Sequence, residues 1–221
     1  MTYVISDLHG AYEEFILMLK KINFTDNDLL YINGDIIDRE NGSIKIIDYI
    51  LDKKNIIWIK GNHEELLEYS FENEEYNLWF CNGGYSTYTD LYNKPENYVK
   101  SLLQKIKNLP LYKIHNNFII THAGVLPSYD TEFLDVEAFL EEQDNHTLLW
   151  DRSSINDDIG FYDYKFIFGH TPTISISNGT TNKILYKNNK IYIDCGISTS
   201  TIGKLGCLCL ETMEEFYIDR K

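Results

Sequence analysis

Leu29-Leu30-Tyr31-Ile32-Asn33-Gly34-Asp35-Ile36-Ile37-Asp38-Arg39 is the stretch on which the fold turns. Four apolar and aromatic residues read as a buried strand, a glycine ends it, and two carboxylates and a guanidinium follow at once. The same order recurs along the chain. Tyr3-Val4-Ile5-Ser6 leads into Asp7 and His9, and Ile56-Ile57-Trp58-Ile59 leads into Gly61, Asn62 and His63. Asn117-Phe118-Ile119-Ile120 precedes His122, and Phe166-Ile167-Phe168 precedes Gly169 and His170. Between the first three runs lie helical patterns. Glu13 to Leu19 has apolar residues at helical spacing, and Ser43 is expected to cap a helix running to about Asp52. Strand, helix, strand alternation implies parallel strands with right-handed crossovers, an α/β fold. Ligands of such sheets bind beyond the carboxyl ends of the strands, so the recurring polar residues should gather at one rim.

The rest of the chain has the make-up of an ordinary folded protein. Its 221 residues suit a single domain spanning 1–221, 43% of them are hydrophobic, and the net charge is −14. That charge speaks against a general nucleic-acid-binding face, which needs clustered Lys and Arg. It does not exclude a phosphorylated substrate, because bound divalent metals can reverse the local field. Met1 runs directly into an apolar strand pattern, with no basic stretch ahead of a long apolar one, so neither a signal peptide nor a membrane span is expected. Cys81, Cys195, Cys207 and Cys209 match no zinc spacing, and a cytoplasmic location with Cys207 and Cys209 as buried thiols is the reading.

From about 64 to 111 the pattern turns helical and aromatic, with Tyr69, Phe71, Trp79, Phe80, Tyr85, Tyr88 and Tyr92. A helical insertion beside the site is expected there, its aromatics serving packing more than substrate. After His170 the chain is strand-rich. Lys183 to Lys187 and Lys190 to Asp194 flank Asn188-Asn189 as a hairpin, and Leu205 to Leu210 and Glu215 to Ile218 read as closing strands. His115, His146 and the pair Asp157-Asp158 fall outside every motif and read as packing or solvated groups. Glu64 reads equally as a support behind the site or as the start of the next helix.

Taken singly, Asp7-x-His9 or Gly169-His170-Thr171 says little. Five such elements in order, each beyond an apolar run, point to a metal site with mixed oxygen and imidazole donors. That donor set suits Mn2+, Fe or Zn2+, and the absence of cysteine speaks against a structural zinc. The order Asp-x-His, Gly-Asp-x-x-Asp-Arg, Gly-Asn-His-Glu, His-Ala-Gly and Gly-His-Thr resembles the phosphoprotein phosphatases of the calcineurin-like metallophosphoesterase superfamily. Leu148-Leu149-Trp150-Asp151-Arg152 resembles that family's Leu-Trp-x-Arg element. Asp194-Cys195-Gly196 with Gly203-Lys204-Leu205 is similar to its ending, and Asn82-Gly83-Gly84 to its bacterial and phage members.

The resemblance implies a four-layer αββα sandwich of two mixed sheets flanked by helices, and two divalent ions. Manganese is expected, with iron, zinc or nickel also compatible. Asp7 and His9 would hold one metal, Asp35 would bridge both, and Asn62, His122 and His170 would hold the other. His63 would be the general acid, oriented by Asp38, while Arg39, Arg152 and Asn62 would engage the phosphate. Two cations about 3.5–4 Å apart can clamp a phosphoryl group and lower the pKa of a bridging water for direct attack. The implied substrate is a phosphoprotein or small phosphoester. A hydrolase of dinucleoside polyphosphates such as diadenosine tetraphosphate is the alternative, because that group shares much of the motif set. A non-catalytic scaffold would be expected to have lost a ligand or the acid, and every such position is filled here. One departure stands out. Family members often carry Gly after Asp-Arg, whereas here Glu40 follows, and a carboxylate beside Arg39 is expected to alter phosphate binding.

Overall fold

A computed structural model describes residues 1–127, 135–157, 161 and 163–221. Its strands are β1 (Thr2–Ile5), β2 (Leu29–Asn33), β3 (Ile56–Ile59), β4 (Tyr112–His115), β5 (Phe118–Thr121), β6 (Lys165–Phe168), β7 (Leu185–Lys187), β8 (Lys190–Tyr192), β9 (Lys204–Cys209) and β10 (Glu215–Asp219). Its helices are α1 (Tyr12–Lys21), α2 (Ser43–Ile50), α3 (Asn62–Asn73), α4 (Asn77–Cys81), α5 (Tyr85–Tyr92), α6 (Glu96–Lys107), α7 (Val136–Glu141), α8 (Asn145–Trp150) and α9 (Thr173–Ile176). The strands form two five-stranded sheets, in the orders β10-β9-β1-β2-β3 and β4-β5-β6-β8-β7. In the first, β1, β2 and β3 are parallel and β9 and β10 antiparallel. In the second, β5, β6 and β8 are parallel, with β4 and β7 antiparallel at the edges.

Alternation along each strand explains the layering, since successive side chains leave opposite faces of a sheet. Val4, Tyr31, Ile59 and Leu208 of the first sheet meet Phe118, Ile120, Ile167 and Ile191 of the second in the core between them. Their neighbours Tyr3, Ile5, Leu30 and Ile32 face the other way, onto Phe15, Met18, Ile44 and Ile47 of α1 and α2. On the far side of the second sheet Ile119, Phe166 and Phe168 pack on Val136, Phe139 and Leu148 of α7 and α8. Strands covered on both faces read as unbroken apolar runs, which is the pattern in the sequence. The product is two mixed sheets flanked by helices. Cys207 and Cys209 both point to the helical side and are buried, as their spacing implied, whereas Cys81 is exposed.

Four successive helices, α3 to α6, fill the stretch between β3 and β4, beginning slightly earlier than the aromatic pattern indicated. The Lys60 N–H donates to the Pro110 carbonyl at 2.9 Å, so the chain leaves and rejoins the sheet at one point. Ser43 does not cap α2. Gly42 takes that position without a side-chain bond, and the Ser43 hydroxyl accepts the Asp38 N–H at 3.0 Å instead. The hairpin at Asn188 is present, with Asn188 in the left-handed region at φ 55°. His146 stacks on Trp150 and His115 lies against Tyr31, both as packing groups. Asp158 lies outside the described residues. No described helix is long and apolar enough to cross a membrane.

Candidate metal centre

The loops that leave the carboxyl ends of β1, β2, β3, β5 and β6 converge, as parallel topology requires. They bury Asp7, His9, Asp35, Asn62, His122 and His170 together. Potential ligand atoms fall into two groups, His9 with Asp35 and His63, and Asp35 with His122 and His170. Within each group the atoms lie within 4.8 Å of one another, and Asp35 belongs to both. Its Oδ2 is 3.6 Å from His9 Nε2 and 3.9 Å from His63 Nε2, while Oδ1 is 3.4 Å from His122 Nε2. Asp7 Oδ1 adds a further oxygen 4.0 Å from His9 Nε2. Asn62 Oδ1 lies 3.0 Å from His122 Nε2 and 2.9 Å from His170 Nδ1, completing the second group.

Backbone geometry shows how firmly these side chains are aimed. Asp7, His9, Asp35, Asp38, Arg39 and His170 all have positive φ, between 45° and 77°. Elsewhere among the described residues that conformation falls mostly to glycines and asparagines, which tolerate it. Charged and imidazole side chains held there signal strain retained for function. Gly34 admits the His122 ring, because a Cβ at its φ of 81° would stand 2.4 Å from His122 Nδ1.

The electrostatics fit a cationic occupant. Burial, followed by the charge of Asp194, raises Asp7 well above the usual carboxylate range, and burial raises Asp194 to about 6. Oxygen-rich, mutually repelling carboxylates of this kind are relieved by divalent metal. Burial first, and then neighbouring positive groups, lower His9 far below its usual value and His170 to about 3, so both rings stay neutral and able to ligate. Burial also opposes charge on His63 and His122. For both, the nearby carboxylates outweigh it, raising His63 and bringing His122 to about 10.

His63 is distinguished from the other imidazoles by its partners. Its Nδ1 is 2.6 Å from Asp38 Oδ2, and its Nε2 lies 3.2 Å from Arg39 Nη2. A carboxylate behind Nδ1 fixes the tautomer and favours the imidazolium. Arg39 also reaches Ser198 Oγ at 3.4 Å, which brings the loop after β8 to the same rim. Arg152 is exposed there, near enough to His170 to help lower its pKa. Glu40 pairs with Arg220. Its Oε1 accepts from Arg220 Nη2 at 2.5 Å, which turns the charge toward the end of β10.

Glu64 serves both roles that the sequence left open. It is fully buried in the first turn of α3, and its Oε2 accepts N–H bonds from Gly61 at 2.8 Å and Asp35 at 2.9 Å. Its Oε1 accepts the Ile36 N–H at 2.9 Å. One carboxylate therefore closes the start of the helix and clamps the loop that carries Asp35. Glu64→Gln keeps the volume but turns an NH2 group toward a backbone N–H. The expected cost is about 1–3 kcal/mol of stability, read as a lower urea midpoint with unchanged slope. An unchanged midpoint would show that the clamp carries no weight.

Two residues were quoted from the sequence without a role at the site. Asp194 follows the apolar run Ile191-Tyr192-Ile193, so the strand-then-ligand rule could have found it. Trp79 carried no such signal, yet its Nε1 donates to Asp38 Oδ2 at 2.8 Å.

The model of the calcineurin-like phosphoesterase family matches residues 2–196. The symmetrical bis(5'-nucleosyl)-tetraphosphatase of Buchnera aphidicola subsp. Schizaphis graminum is 30% identical over 218 residues, covering 90% of this chain and 73% of that protein. The enzyme of the same name from Wigglesworthia glossinidia brevipalpis is 36% identical over 137 residues, 58% of this chain and 46% of that one. Serine/threonine-protein phosphatase 2 of Salmonella typhimurium is 29% identical over 205 residues, 88% of this chain and 86% of that protein. The crystal structure of a cold-active protein-tyrosine phosphatase from a Shewanella species superposes with a TM-score of 0.67 at 16% identity, covering 100% of this chain and 80% of that chain, a likeness of fold.

Proposed function

This chain belongs to the calcineurin-like phosphoesterase family, and from that premise we propose that it hydrolyses dinucleoside polyphosphates such as diadenosine tetraphosphate. The observation that carries the phosphoesterase chemistry is the pair of donor groups sharing Asp35, with His63 and Arg39 at their edge. In this reading Asp7, His9 and Asp35 would hold one cation, and Asp35, Asn62, His122 and His170 the second. Bound divalent ions supply Lewis acidity toward phosphoryl oxygens and activate water at neutral pH. Arg39 and Arg152 orient the phosphate by bidentate contact, which a planar guanidinium makes better than an ammonium. His63, its Nδ1 proton held by Asp38, presents Nε2 as proton donor to the departing oxygen.

The dinucleotide substrate is supported by the tetraphosphatase relatives and by a groove beside Arg39. That groove, about 460 Å3, runs past Gly83, Tyr85, Thr89 and Asp90. Tyr85 is 66% exposed, and its ring is braced edge-on by Phe80 at 5.7 Å. A braced, exposed aromatic next to a phosphate-binding arginine is a platform for a base, and stacking is worth about 1–3 kcal/mol where measured. A second reading, phosphoprotein phosphatase, is supported by the Salmonella relative, of which the chain covers 86%, and by the Asp38-Arg39 and Leu148 to Arg152 elements.

Comparison of kcat/KM for diadenosine tetraphosphate and a phosphothreonine peptide, with Mn2+ added, separates the two. The dinucleotide is expected to be preferred and cleaved to ADP, and Tyr85→Ala should lower its kcat/KM by about tenfold while sparing an aryl phosphate. A tenfold preference for the peptide would transfer the assignment to the second reading.

A further inference from the structure

We propose that Trp79 is a positioning residue for the His63–Asp38 pair, and that α4 and α5 serve as its mount. The inference rests on the assignment of His63 as proton donor. Asp38 is fully buried, and a single one of its carboxylate oxygens, Oδ2, receives both His63 Nδ1 at 2.6 Å and Trp79 Nε1 at 2.8 Å. The other oxygen, Oδ1, is buried with no hydrogen-bond partner. Rotation about the terminal torsion of an aspartate is soft, so a carboxylate held by one donor can swing away from its partner. A second donor on the same oxygen removes that freedom.

The surroundings of Trp79 are shaped to hold the indole in that place. Phe71, Phe80 and Tyr88 pack around the ring at centroid distances of 6.1, 5.8 and 6.4 Å. Gly84, in the turn between α4 and α5, lies so close to the indole that a Cβ there would stand 2.4 Å from Trp79 Nε1. The same turn and the helix after it grip the Asp38 loop itself. The Gly83 carbonyl accepts the Arg39 N–H at 3.0 Å, and Thr87 Oγ1 accepts the Asp38 N–H at 2.9 Å. These contacts give the Asn82-Gly83-Gly84 sequence a physical purpose. It lets the helical insertion hold the acid pair and the phosphate arginine at once.

A buried tryptophan usually finds a partner for its N–H, so a purely structural role is the competing account. The two differ in what they do to the leaving group. Trp79→Phe keeps most of the ring and deletes only the donor. It should retain the metal content of the wild type and leave KM nearly unchanged. Its kcat on an alkyl phosphate, whose alkoxide needs a proton, should fall about tenfold, with a loss below about threefold on a nitrophenyl phosphate. In an Asp38→Asn background the same substitution should add almost nothing, because the donor acts through that carboxylate. Equal losses on both substrates, or full additivity with Asp38→Asn, would overturn the proposal. Should Trp79→Phe fold poorly, Gly84→Ala, which displaces the indole edge, is read in the same way. Failure of the acid assignment is recognised separately, because His63→Asn would then lack leaving-group dependence even where Trp79→Phe is silent.

Discussion

Asp35→Asn is expected to abolish hydrolysis of every phosphoester tested and to lower the bound metal together with it. Asp35 is the one carboxylate common to both donor groups, with Oδ2 toward His9 and Oδ1 toward His122. An amide offers a single neutral oxygen and cannot serve two cations as a carboxylate does. Changes to groups that merely support a ligand cost about 10–100-fold, so loss of a shared ligand should exceed about 100-fold. Elemental analysis of the purified variant should show its metal reduced from about two equivalents per chain. The carboxylate also accepts the His63 N–H at 3.0 Å, and an amide oxygen can keep that bond, so the fold should survive. Full metal content with full activity in this variant would sink the two-metal reading.

His63→Asn should separate acid from ligand. The distances alone group His63 with His9 and Asp35 as a candidate donor, whereas its bond to Asp38, which favours the imidazolium, marks it as a proton carrier. The variant is therefore expected to keep both metals and lose about 10²–10⁴-fold in kcat on alkyl phosphates. An aryl phosphate should suffer less, since its leaving group departs with less help. A dinucleoside tetraphosphate should also suffer less, because the departing oxygen belongs to a phosphate that is already acidic. Metal content and the ratio of the losses are the two readouts. Loss of one metal would make His63 a ligand, and a loss independent of leaving group would remove its role as acid.

The mapping of strands and of the rim was legible because one rule governs both. A buried parallel strand needs an unbroken apolar run, and the loop beyond its carboxyl end is where the backbone can aim polar groups. Runs ending at Ile5, Ile32, Ile59, Ile120 and Phe168 therefore announced the strands and the residues gathered at the rim together. Ser43 misled because a hydroxyl before a helical pattern usually caps it, whereas here it is drawn to the strained Asp38 N–H. The substrate was least legible. Motifs report the chemistry at phosphorus, while the groove at Tyr85 depends on how α5 is packed beside Arg39.

By itself, the sequence determined the alternation of strands and helices of an α/β fold and the order along the chain of the residue types that gather at the rim. These follow from local apolar periodicity and from residues adjacent to it. Tertiary structure alone decided which side chains meet across long separations. Trp79 reaches Asp38 from 41 residues away, and Arg220 draws Glu40 aside from 180 residues away. Such pairings are set by the docking of the helical insertion and of β10 against the rim, which brings donors to acceptors that no local pattern names.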